Sequence, residues 1–245
     1  MRIFATCMRI AIIGYGKMGH IIEEVARERQ HEIVCIIDKD NLQDFRSEAF
    51  RSADAAIEFS TPKTAEGNIR EAWEAGVPVV CGTTGWDVAK LRQEIYDDED
   101  CCQSPVGCAK GKGLLWSSNF SIGVNIFFAI NKRLAGLLSG YPQYKPTLTE
   151  IHHIHKLDSP SGTAKTLAEQ IAFSLGCNAN DIPIRSIREG EIPGTHIVVW
   201  NSGEDEISLQ HKAHSRKGFA AGAVTAAEWL KGKTGYHEFN EVLGL

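Results

Sequence analysis

A glycine-rich loop near the amino terminus constrains the fold of this chain more than any other feature of the sequence. Gly14, Gly16 and Gly19 form a G-x-G-x-x-G pattern directly after an apolar run at residues 9–13, and a stretch with helical apolar spacing follows. In such a unit the first glycine permits a tight turn, the second lets a pyrophosphate approach the backbone, and the third lets helix and strand pack closely. The amide groups that begin the helix then face the phosphates. The predicted phosphate-binding residues are Gly14, Tyr15, Gly16, Lys17, Met18 and Gly19.

An acidic residue follows the loop at the spacing expected for ribose recognition. Asp38 closes the apolar run at residues 32–38 and lies 24 residues after Gly14. A carboxylate at this place hydrogen-bonds the ribose 2′-hydroxyl of NADH, whereas a cation nearby accommodates the 2′-phosphate of NADPH. Because Lys39 follows Asp38 directly, the pair is compatible with both cofactors, and the choice between them stays open.

Strands and helices alternate through the first half of the chain, and the pattern then changes. The predicted strands of the first half are 9–13, 32–38, 55–60, 77–81 and 114–117, with helices over 64–75 and 86–96. Such alternation is typical of parallel strands joined by crossover helices. The later predicted elements are helices over 121–138, 163–175 and 219–230, and strands over 148–155, 183–188, 195–201 and 206–213. The sequence therefore predicts an α/β chain in which a parallel sheet with crossover helices in the first half is followed by a smaller α+β unit.

Two polar turns follow later strands of the first predicted domain. Ligands of open parallel sheets bind beyond the carboxyl ends of the strands, so these turns are expected to line the same crevice as the glycine loop. Each turn is also compatible with an ordinary connecting loop that binds no ligand. The residues concerned are Gly82, Thr83, Thr84, Ser117, Ser118, Asn119 and Phe120.

Side chains that can transfer protons are densest at residues 150–163. His152, His153 and His155 lie within four positions, and Lys156 follows. If the strand continues to residue 155, His152 faces one side and the other two histidines face the opposite side. This arrangement splits the ligands that a metal would need, so no metal site is expected. Proton transfer by histidine and lysine beside an anion site is the alternative, and it requires the chain to turn near Lys156.

A helix is predicted to begin just after this segment. Ser159 or Ser161 can cap it, and Gly162 and Thr163 lie in its first turn. The free amide groups of that turn, with the Ser161 and Thr163 hydroxyls, predict a socket for a carboxylate. A capped surface helix with no ligand is the plainer interpretation.

Composition excludes several other classes of protein. A net charge of −5 does not suit a nucleic-acid-binding protein, and no apolar run reaches the ~18 residues that span a bilayer. The seven scattered cysteines indicate a reducing compartment, here the cytoplasm. Cys101, Cys102 and Cys108 lack the spacing of a zinc site and are expected to be free thiols. Either Met1 or Met8 could be the first residue of the natural chain.

Residues 150–164 closely resemble the signature of the dihydrodipicolinate reductase family. The resemblance consists of a His-His-x-His-Lys run followed by x-Asp-x-Pro-Ser-Gly-Thr-Ala. The glycine loop, the turn at 82–85 and the stretches 118–121 and 123–125 resemble further family motifs in the same order. Residues 215–224 resemble the carboxyl-terminal motif, so that the likeness extends over nearly the whole chain.

The resemblance implies a Rossmann-like cofactor domain of residues 1–121 and 215–245, with an inserted α+β domain of residues 122–214 on a mixed sheet. It also implies a function. It implies reduction of a cyclic imine dicarboxylate, 4-hydroxy-tetrahydrodipicolinate or dihydrodipicolinate, to tetrahydrodipicolinate in diaminopimelate and lysine biosynthesis. The implied cofactor is NADH or NADPH, no metal is needed, and the implied assembly is a homotetramer built through the sheet of an inserted substrate-binding domain. By position, His152 would be the catalytic acid/base and Lys156 the proton donor. The implied substrate-binding residues are His153, Ser161, Gly162 and Thr163, and Arg216 and Phe219 would add cofactor contacts.

Two other functions are compatible with the glycine loop alone. Another two-domain nicotinamide dehydrogenase would share the first domain but would not require the segment at 150–164. A redox sensor would bind NADH without turnover, and it would not need the histidine–lysine arrangement. The segment at 150–164 favours the reductase over both.

Overall fold

The computed structural model describes residues 7–101 and 112–245, with the backbone alone at residues 98–101. The chain divides into two compact units, Met1–Ser121 with Lys217–Leu245, and Ile122–Arg216. The segment before residue 7 that bears on the choice of start, together with Cys102 and Cys108, lies outside the described residues, as does the side chain of Cys101. None of the described helices combines the length and the apolar character needed to cross a bilayer.

The first unit is built on a six-stranded parallel sheet. Its strands are β1 (Arg9–Ile13), β2 (Glu32–Ile37), β3 (Ala55–Glu58), β4 (Val79–Cys81), β5 (Gly113–Trp116) and β10 (Gly235–Glu238). They lie in the order β10-β5-β4-β3-β1-β2, and every pairing is parallel. Because β2 and β3 lie on opposite sides of β1, the chain changes direction across β1, and the ligand crevice of such a sheet lies at this point. The predicted Rossmann-like fold is confirmed.

Helices cover this sheet and close its core. They are α1 (Lys17–Glu28), α2 (Glu48–Arg51), α3 (Ala65–Glu74), α4 (Val88–Cys101), α7 (Lys217–Leu230) and α8 (Phe239–Leu243), and a 3₁₀ turn spans Leu42–Arg46. Helix α7 packs closely against the end of the first segment, where a Cβ on Gly222 would lie 1.7 Å from the carbonyl oxygen of Phe120. Only glycine permits this approach. The carboxyl-terminal segment also adds β10 to the sheet, a strand that the sequence analysis did not predict.

The second unit is a four-stranded mixed sheet with two helices. Its elements are α5 (Ile122–Leu138), β6 (Lys145–His152), α6 (Gly162–Leu175), β7 (Ile184–Arg188), β8 (Thr195–Asn201) and β9 (Glu206–Lys212), with a 3₁₀ turn at Ala179–Asp181. The strand order is β7-β6-β8-β9, in which β6 and β7 are parallel and the other pairs are antiparallel. Leu148, Val198 and Trp200 pack with Leu167 and Ile171 of α6 in the core. Alternate residues of β6 face this core, and Glu150 and His152 occupy two of the buried positions.

Candidate active site

Strand β6 ends at His152, three residues earlier than the sequence predicted. The amide of Ile154 donates to the carbonyl of Gly190 (3.1 Å), and the amide of Lys156 donates to the carbonyl of His153 (3.2 Å). The chain therefore turns directly after His152, before Lys156. The predicted extension of the strand to residue 155 was wrong, because the hydrogen bond from Ile154 to the loop at Gly190 ends it. The rings of His153 and His155 nevertheless lie near each other, with 6.0 Å between their centroids. His153 is half-buried in this turn, whereas His155 is exposed and pairs with Glu191 (3.2 Å).

A fully buried carboxylate, Glu150, lies two residues before His152 on the same face of β6. One of its oxygens, Oε1, accepts hydrogen bonds from Nη2 of Arg188 (3.0 Å) and from the amide of Ser161 (3.2 Å). Burial by itself would raise the pKa of Glu150, but the polar groups of His152, Ser161, Ser186 and Arg188 that face the carboxylate outweigh it and hold that pKa well below its usual range. Glu150 is therefore ionised in the core at every physiological pH.

The imidazole of His152 lies against this carboxylate. Its Nδ1 is 3.0 Å from Oε2 of Glu150, close enough for an ion pair, although the two atoms are not aligned as a hydrogen bond. The ring of His196, from β8, lies edge-on at 5.1 Å between centroids, and the Nε2 of His196 is 3.2 Å from the Ser161 hydroxyl. Burial, together with the neighbouring His152, lowers the pKa of His196 to about 4, with Glu150 opposing the shift. His196 is therefore neutral near pH 7.

Glu150, His152 and His196 also offer the donor types of a metal site. One potential ligand atom from each lies within 4.8 Å of the others, and all three residues are buried. The guanidinium of Arg188, however, already places a positive charge 3.0 Å from the Glu150 carboxylate. A divalent cation beside it would be repelled. The arrangement fits a side-chain network closed by arginine better than a metal centre.

Lys156 lies on the loop that follows the turn. Its Nζ forms an ion pair with Asp158 (2.7 Å), and most of its side chain is shielded. Partial burial of Asp158 would raise its pKa, but the ammonium of Lys156 lowers it. The carbonyl of Asp158 accepts a hydrogen bond from Nη2 of Arg188 at 2.6 Å. Arg188 therefore ties the loop that carries Lys156 to the carboxylate beside His152.

Helix α6 begins next to this loop. Ser161 is its N-cap, and its hydroxyl accepts from the amide of Ala164 at 3.3 Å. The Ser161 side chain is almost completely buried, and its own amide is committed to Glu150. Gly162 is exposed, and a Cβ there would meet no atom within 4 Å. Gly162 and Thr163 are thus the first-turn residues that present the helix amino terminus to solvent, while Ser161 supports them from below.

In the first unit, the three glycines of the loop have different surroundings. Gly14 has a φ of +88°, and a Cβ there would lie 2.4 Å from the carbonyl oxygen of Phe59. A Cβ on Gly19 would lie 2.4 Å from the carbonyl oxygen of Gly14, whereas one on Gly16 would meet nothing within 4 Å. The first and third glycines are therefore required by the protein's own packing. The second leaves open space in front of the first amides of α1, where Lys17 and Met18 lie.

A cavity of about 430 Å³ lies at the carboxyl ends of β1, β2 and β3. Gly14, Tyr15, Gly16, Asp38 and Lys39 are among the residues that line it. Asp38 is exposed directly after β2. Its amide donates to the side chain of Asn41 (2.7 Å), and its carboxylate accepts from the amide of Lys39 (2.9 Å). The open glycine, the helix amino terminus and this carboxylate together fit the phosphate and ribose groups of a dinucleotide.

In the turn after β4, some residues are buried and others are exposed. Thr83 is buried, and its hydroxyl accepts from the amide of Ser60 (3.0 Å). Its carbonyl accepts from the indoles of Trp86 and Trp116. Thr84, in contrast, is exposed, and a Cβ on Gly82 would lie 2.1 Å from the ring of Phe59. Thr83 and Gly82 thus hold the shape of the turn.

The turn after β5 also contains both exposed and buried residues. The hydroxyl of Ser117 bridges both backbone polar groups of Asn119, and Ser118 is exposed. Phe120 is buried in the core, edge-on to Phe239 at 5.1 Å. Its side chain therefore belongs to the core of the first unit. Of the last predicted cofactor contacts, Arg216 is exposed at the end of the second unit, and Phe219 is half-buried in α7.

Glu150, Arg188 and His196 were not among the predicted site residues. They come from β6, β7 and β8, and only the register of the sheet brings them together. A signal was present in the sequence, because Glu150 is two residues after Leu148 and His196 two residues before Val198, so that each shares a strand face with apolar residues. A polar residue at an inward position of a strand indicates a buried partner.

Most of the chain is similar in sequence to known proteins. The family described as "Dihydrodipicolinate reductase, N-terminus" matches residues 8–97, and "Dihydrodipicolinate reductase, C-terminus" matches residues 123–243. The chain is 45% identical over 251 residues to a 4-hydroxy-tetrahydrodipicolinate reductase of Christiangramia forsetii, covering 96% of this chain and 98% of that protein. It is 34% identical over 248 residues to the enzyme of the same name from Akkermansia muciniphila, covering 94% and 95%.

A solved structure shares the fold. It is a dipicolinate-bound dihydrodipicolinate reductase from Paenisporosarcina sp. TG-14, with a TM-score of 0.73 at 22% identity, covering 96% of this chain and 99% of that one. The two family matches together span most of the sequence, and they include the glycine loop and the segment at 150–164. The chain therefore belongs to the dihydrodipicolinate reductase family.

Proposed function

We propose that His152 and Lys156 supply the proton in the reduction that this family carries out. The reaction is the NAD(P)H-dependent reduction of 4-hydroxy-tetrahydrodipicolinate or dihydrodipicolinate to tetrahydrodipicolinate, in diaminopimelate and lysine biosynthesis. The observation that carries the proposal is the paired environment of the two residues. His152 lies against the buried carboxylate of Glu150, and Lys156 is paired with Asp158, whose carbonyl is held by the same Arg188 that binds this carboxylate.

The chemistry explains why a proton donor is needed. The 4-hydroxy compound first loses its hydroxyl as water, which gives a conjugated cyclic imine with two carboxylates. A nicotinamide held by the first unit would supply hydride to ring carbon 4 of that imine. The electron pair that this displaces leaves an enamine, which gains a proton at the neighbouring carbon. His152 serves as acid/base and Lys156 as proton donor at that carbon, and proton transfer by a positioned group contributes about 10²–10⁴-fold in rate.

The substrate carboxylates bind at the amino terminus of α6. The first-turn amides of Gly162 and Thr163 and the helix dipole favour an anion there, and Lys156 and His153 add positive or hydrogen-bonding groups. Because the Ser161 hydroxyl is turned inward, Ser161 holds the socket in shape instead of reaching into it. Dipicolinate, the ligand of the Paenisporosarcina structure, is a planar dicarboxylate of the size this socket would accept.

The first unit holds the cofactor. Gly14–Gly19 and the amino terminus of α1 bind the pyrophosphate, Asp38 binds the ribose, and the exposed residues of the two later turns, Thr84 and Ser118, complete the contacts. The Asp38–Lys39 pair is compatible with both NADH and NADPH. Arg216 and Phe219 add contacts at the start of α7.

The protein is a cytoplasmic homotetramer under this proposal. On the outer face of the second sheet, Ile151, Ile197 and Val199 are half-buried and lie opposite the core face that contains Leu148, Val198 and Trp200. These apolar side chains on the outer face suit contact with a partner sheet. Light scattering coupled to size-exclusion chromatography measures the assembly directly.

A coupled assay tests the proposed activity. The substrate is made in situ from pyruvate and aspartate semialdehyde by the preceding synthase, and the absorbance of NADH or NADPH is followed. Decay that needs both the synthase and this protein supports the proposal, and the ratio of the two rates gives the cofactor preference. Cofactor binding without any decay would contradict it.

A further inference from the structure

We propose that Glu150 is a positioning residue for His152: the buried carboxylate faces Nδ1, holds the proton there, and leaves Nε2 as the atom that exchanges a proton with the substrate. This inference rests on the proposed catalytic role of His152. It concerns a residue that touches no ligand, because Glu150 is completely buried.

The two oxygens of Glu150 have separate tasks. Oε1 is occupied by Arg188 and by the amide of Ser161 (3.0 and 3.2 Å). Oε2 is buried and has no hydrogen-bond partner, and the Nδ1 of His152, 3.0 Å away, is buried and equally unpartnered. A buried polar atom without a hydrogen-bond partner destabilises the folded state. A small rotation of the imidazole pairs them, with Nδ1–H as the donor and Oε2 as the acceptor.

Gly194 provides space on the other side of the ring. It precedes β8 with a φ of +155°, and a Cβ there would lie 3.1 Å from Nε2 of His152. Glycine therefore keeps a side chain away from the nitrogen that must exchange a proton. The carboxylate on one edge and the missing Cβ on the other define which nitrogen acts.

The other charged or titratable groups around His152 do not replace Glu150. His196, from β8, is neutral near pH 7, and burial also lowers the pKa of His211 on β9. Arg188, from β7, is bound to Oε1 of Glu150, and Lys156 on the loop is paired with Asp158. Glu150 is thus the carboxylate that stabilises a protonated His152 ring.

The test compares Glu150→Gln with a matched control, Glu191→Gln. Glu191 also pairs with a histidine, His155, but both members of this pair are exposed, so we expect no change in the control. In Glu150→Gln we expect kcat to fall at least about tenfold with the KM for the cofactor unchanged. The high-pH limb of the kcat profile should also move to lower pH, because the amide no longer favours the protonated ring.

Imidazole ¹⁵N resonances of the wild-type protein give a readout that does not depend on a variant's stability. The signals of His152 are assigned by their loss in His152→Gln. We expect neutral His152 to carry its proton on Nδ1, and the proton to move to Nε2 in Glu150→Gln, whose amide can donate to Nδ1. A wild-type ring protonated on Nε2, or an unchanged pH profile in a folded Glu150→Gln, would overturn the inference.

The two proposals fail in different ways. If the wild-type protein shows no turnover in the coupled assay, the proposed function is wrong whatever the tautomer. If it turns over and Glu150→Gln keeps the wild-type rate and pH profile, His152 is catalytic without the help of Glu150.

Discussion

The glycine loop of the first unit and the network around His152 in the second unit are assembled from different parts of the chain. The loop uses backbone atoms of six consecutive residues, Gly14–Gly19, and what matters is where side chains are missing. The network uses side chains from β6, β7, β8 and the start of α6, as Glu150, Arg188, His196 and Ser161 show. A backbone site of this kind is contained in a local motif, whereas a side-chain network exists only after the sheet has formed.

The difference suits the ligands proposed for the two regions. A pyrophosphate carries a fixed charge and needs only amide donors and close approach. A proton-transfer step needs a titratable group whose protonation is controlled by its neighbours. The loop should therefore tolerate changes in charge but not added atoms, whereas the network should be sensitive to a change of charge even when the size of the side chain is kept.

The largest expected effect is a loss of turnover in variants of the network around His152. His152→Gln and Lys156→Ala should each lower kcat by about 10²–10⁴-fold, because a proton donor is removed while the glycine loop is untouched. Steady-state kinetics with the coupled assay measures kcat, and fluorescence titration measures the dissociation constant of NADH. An equal loss of cofactor affinity would contradict the division between the two regions.

A second prediction concerns the pH dependence of stability that the buried His196 of the network contributes. The pKa of His196 falls to about 4 in the folded protein from 6.5, so the unfolded chain binds the additional proton between these values. The free energy of unfolding should therefore decrease as the pH falls through this window, by about 2 kcal/mol between pH 7 and pH 5. Urea unfolding at the two pH values measures it.

The control for this prediction is a pair of histidine variants. His196→Gln should remove most of the difference in unfolding free energy between pH 7 and pH 5. His155→Gln, at an exposed position, should leave the difference unchanged. A pH dependence that survives in His196→Gln would show that another group is responsible.

A third prediction tests the loop by adding one carbon atom. Gly16→Ala should fold normally, since a Cβ there meets no protein atom, but should weaken NADH binding about tenfold by occupying the phosphate space. Gly136→Ala, in α5 with equally open surroundings, is the matched control. Calorimetric titration with NADH distinguishes the two, and unchanged affinity in Gly16→Ala would place the phosphates elsewhere.

The smallest expected effect lies at Ser161, where backbone and side chain act together. Ser161→Ala removes the helix cap and should cost about 1 kcal/mol of stability, a decrease in Tm of roughly 2–4 °C. Ser139→Ala, which removes an exposed hydroxyl at the end of α5, should change Tm much less. If Ser161→Ala instead lowers substrate affinity without changing Tm, its hydroxyl reaches the ligand.

Prediction from the sequence succeeded where local patterns determine structure. The glycine loop, the parallel strands and the helix that begins after Ser161 follow from spacing and capping residues within short segments. Strand β10 was missed because Gly235–Glu238 has no apolar pattern of its own, and it becomes a strand only by pairing with β5. The end of β6 was predicted too late because a hydrogen bond to Gly190 determines it.

The same reasoning explains which parts of the site were found. His152 and Lys156 lie in one short run, but Arg188 reaches Glu150 only because β7 pairs with β6. The inward orientation of Ser161, Thr83 and Phe120 is likewise a result of packing, which no motif encodes. A residue can therefore belong to a motif because it holds the shape of the site, and not only because it contacts a ligand.

Crossed binding titrations test the central claim most directly. NADH is titrated into the wild-type protein, Gly16→Ala and Lys156→Ala, and dipicolinate is then titrated into each at saturating NADH. The account predicts that Gly16→Ala weakens NADH and leaves dipicolinate within about twofold, while Lys156→Ala weakens dipicolinate and leaves NADH within about twofold. If either variant weakened both ligands to the same extent, the assignment of the cofactor to the loop and of the dicarboxylate to the network would be wrong.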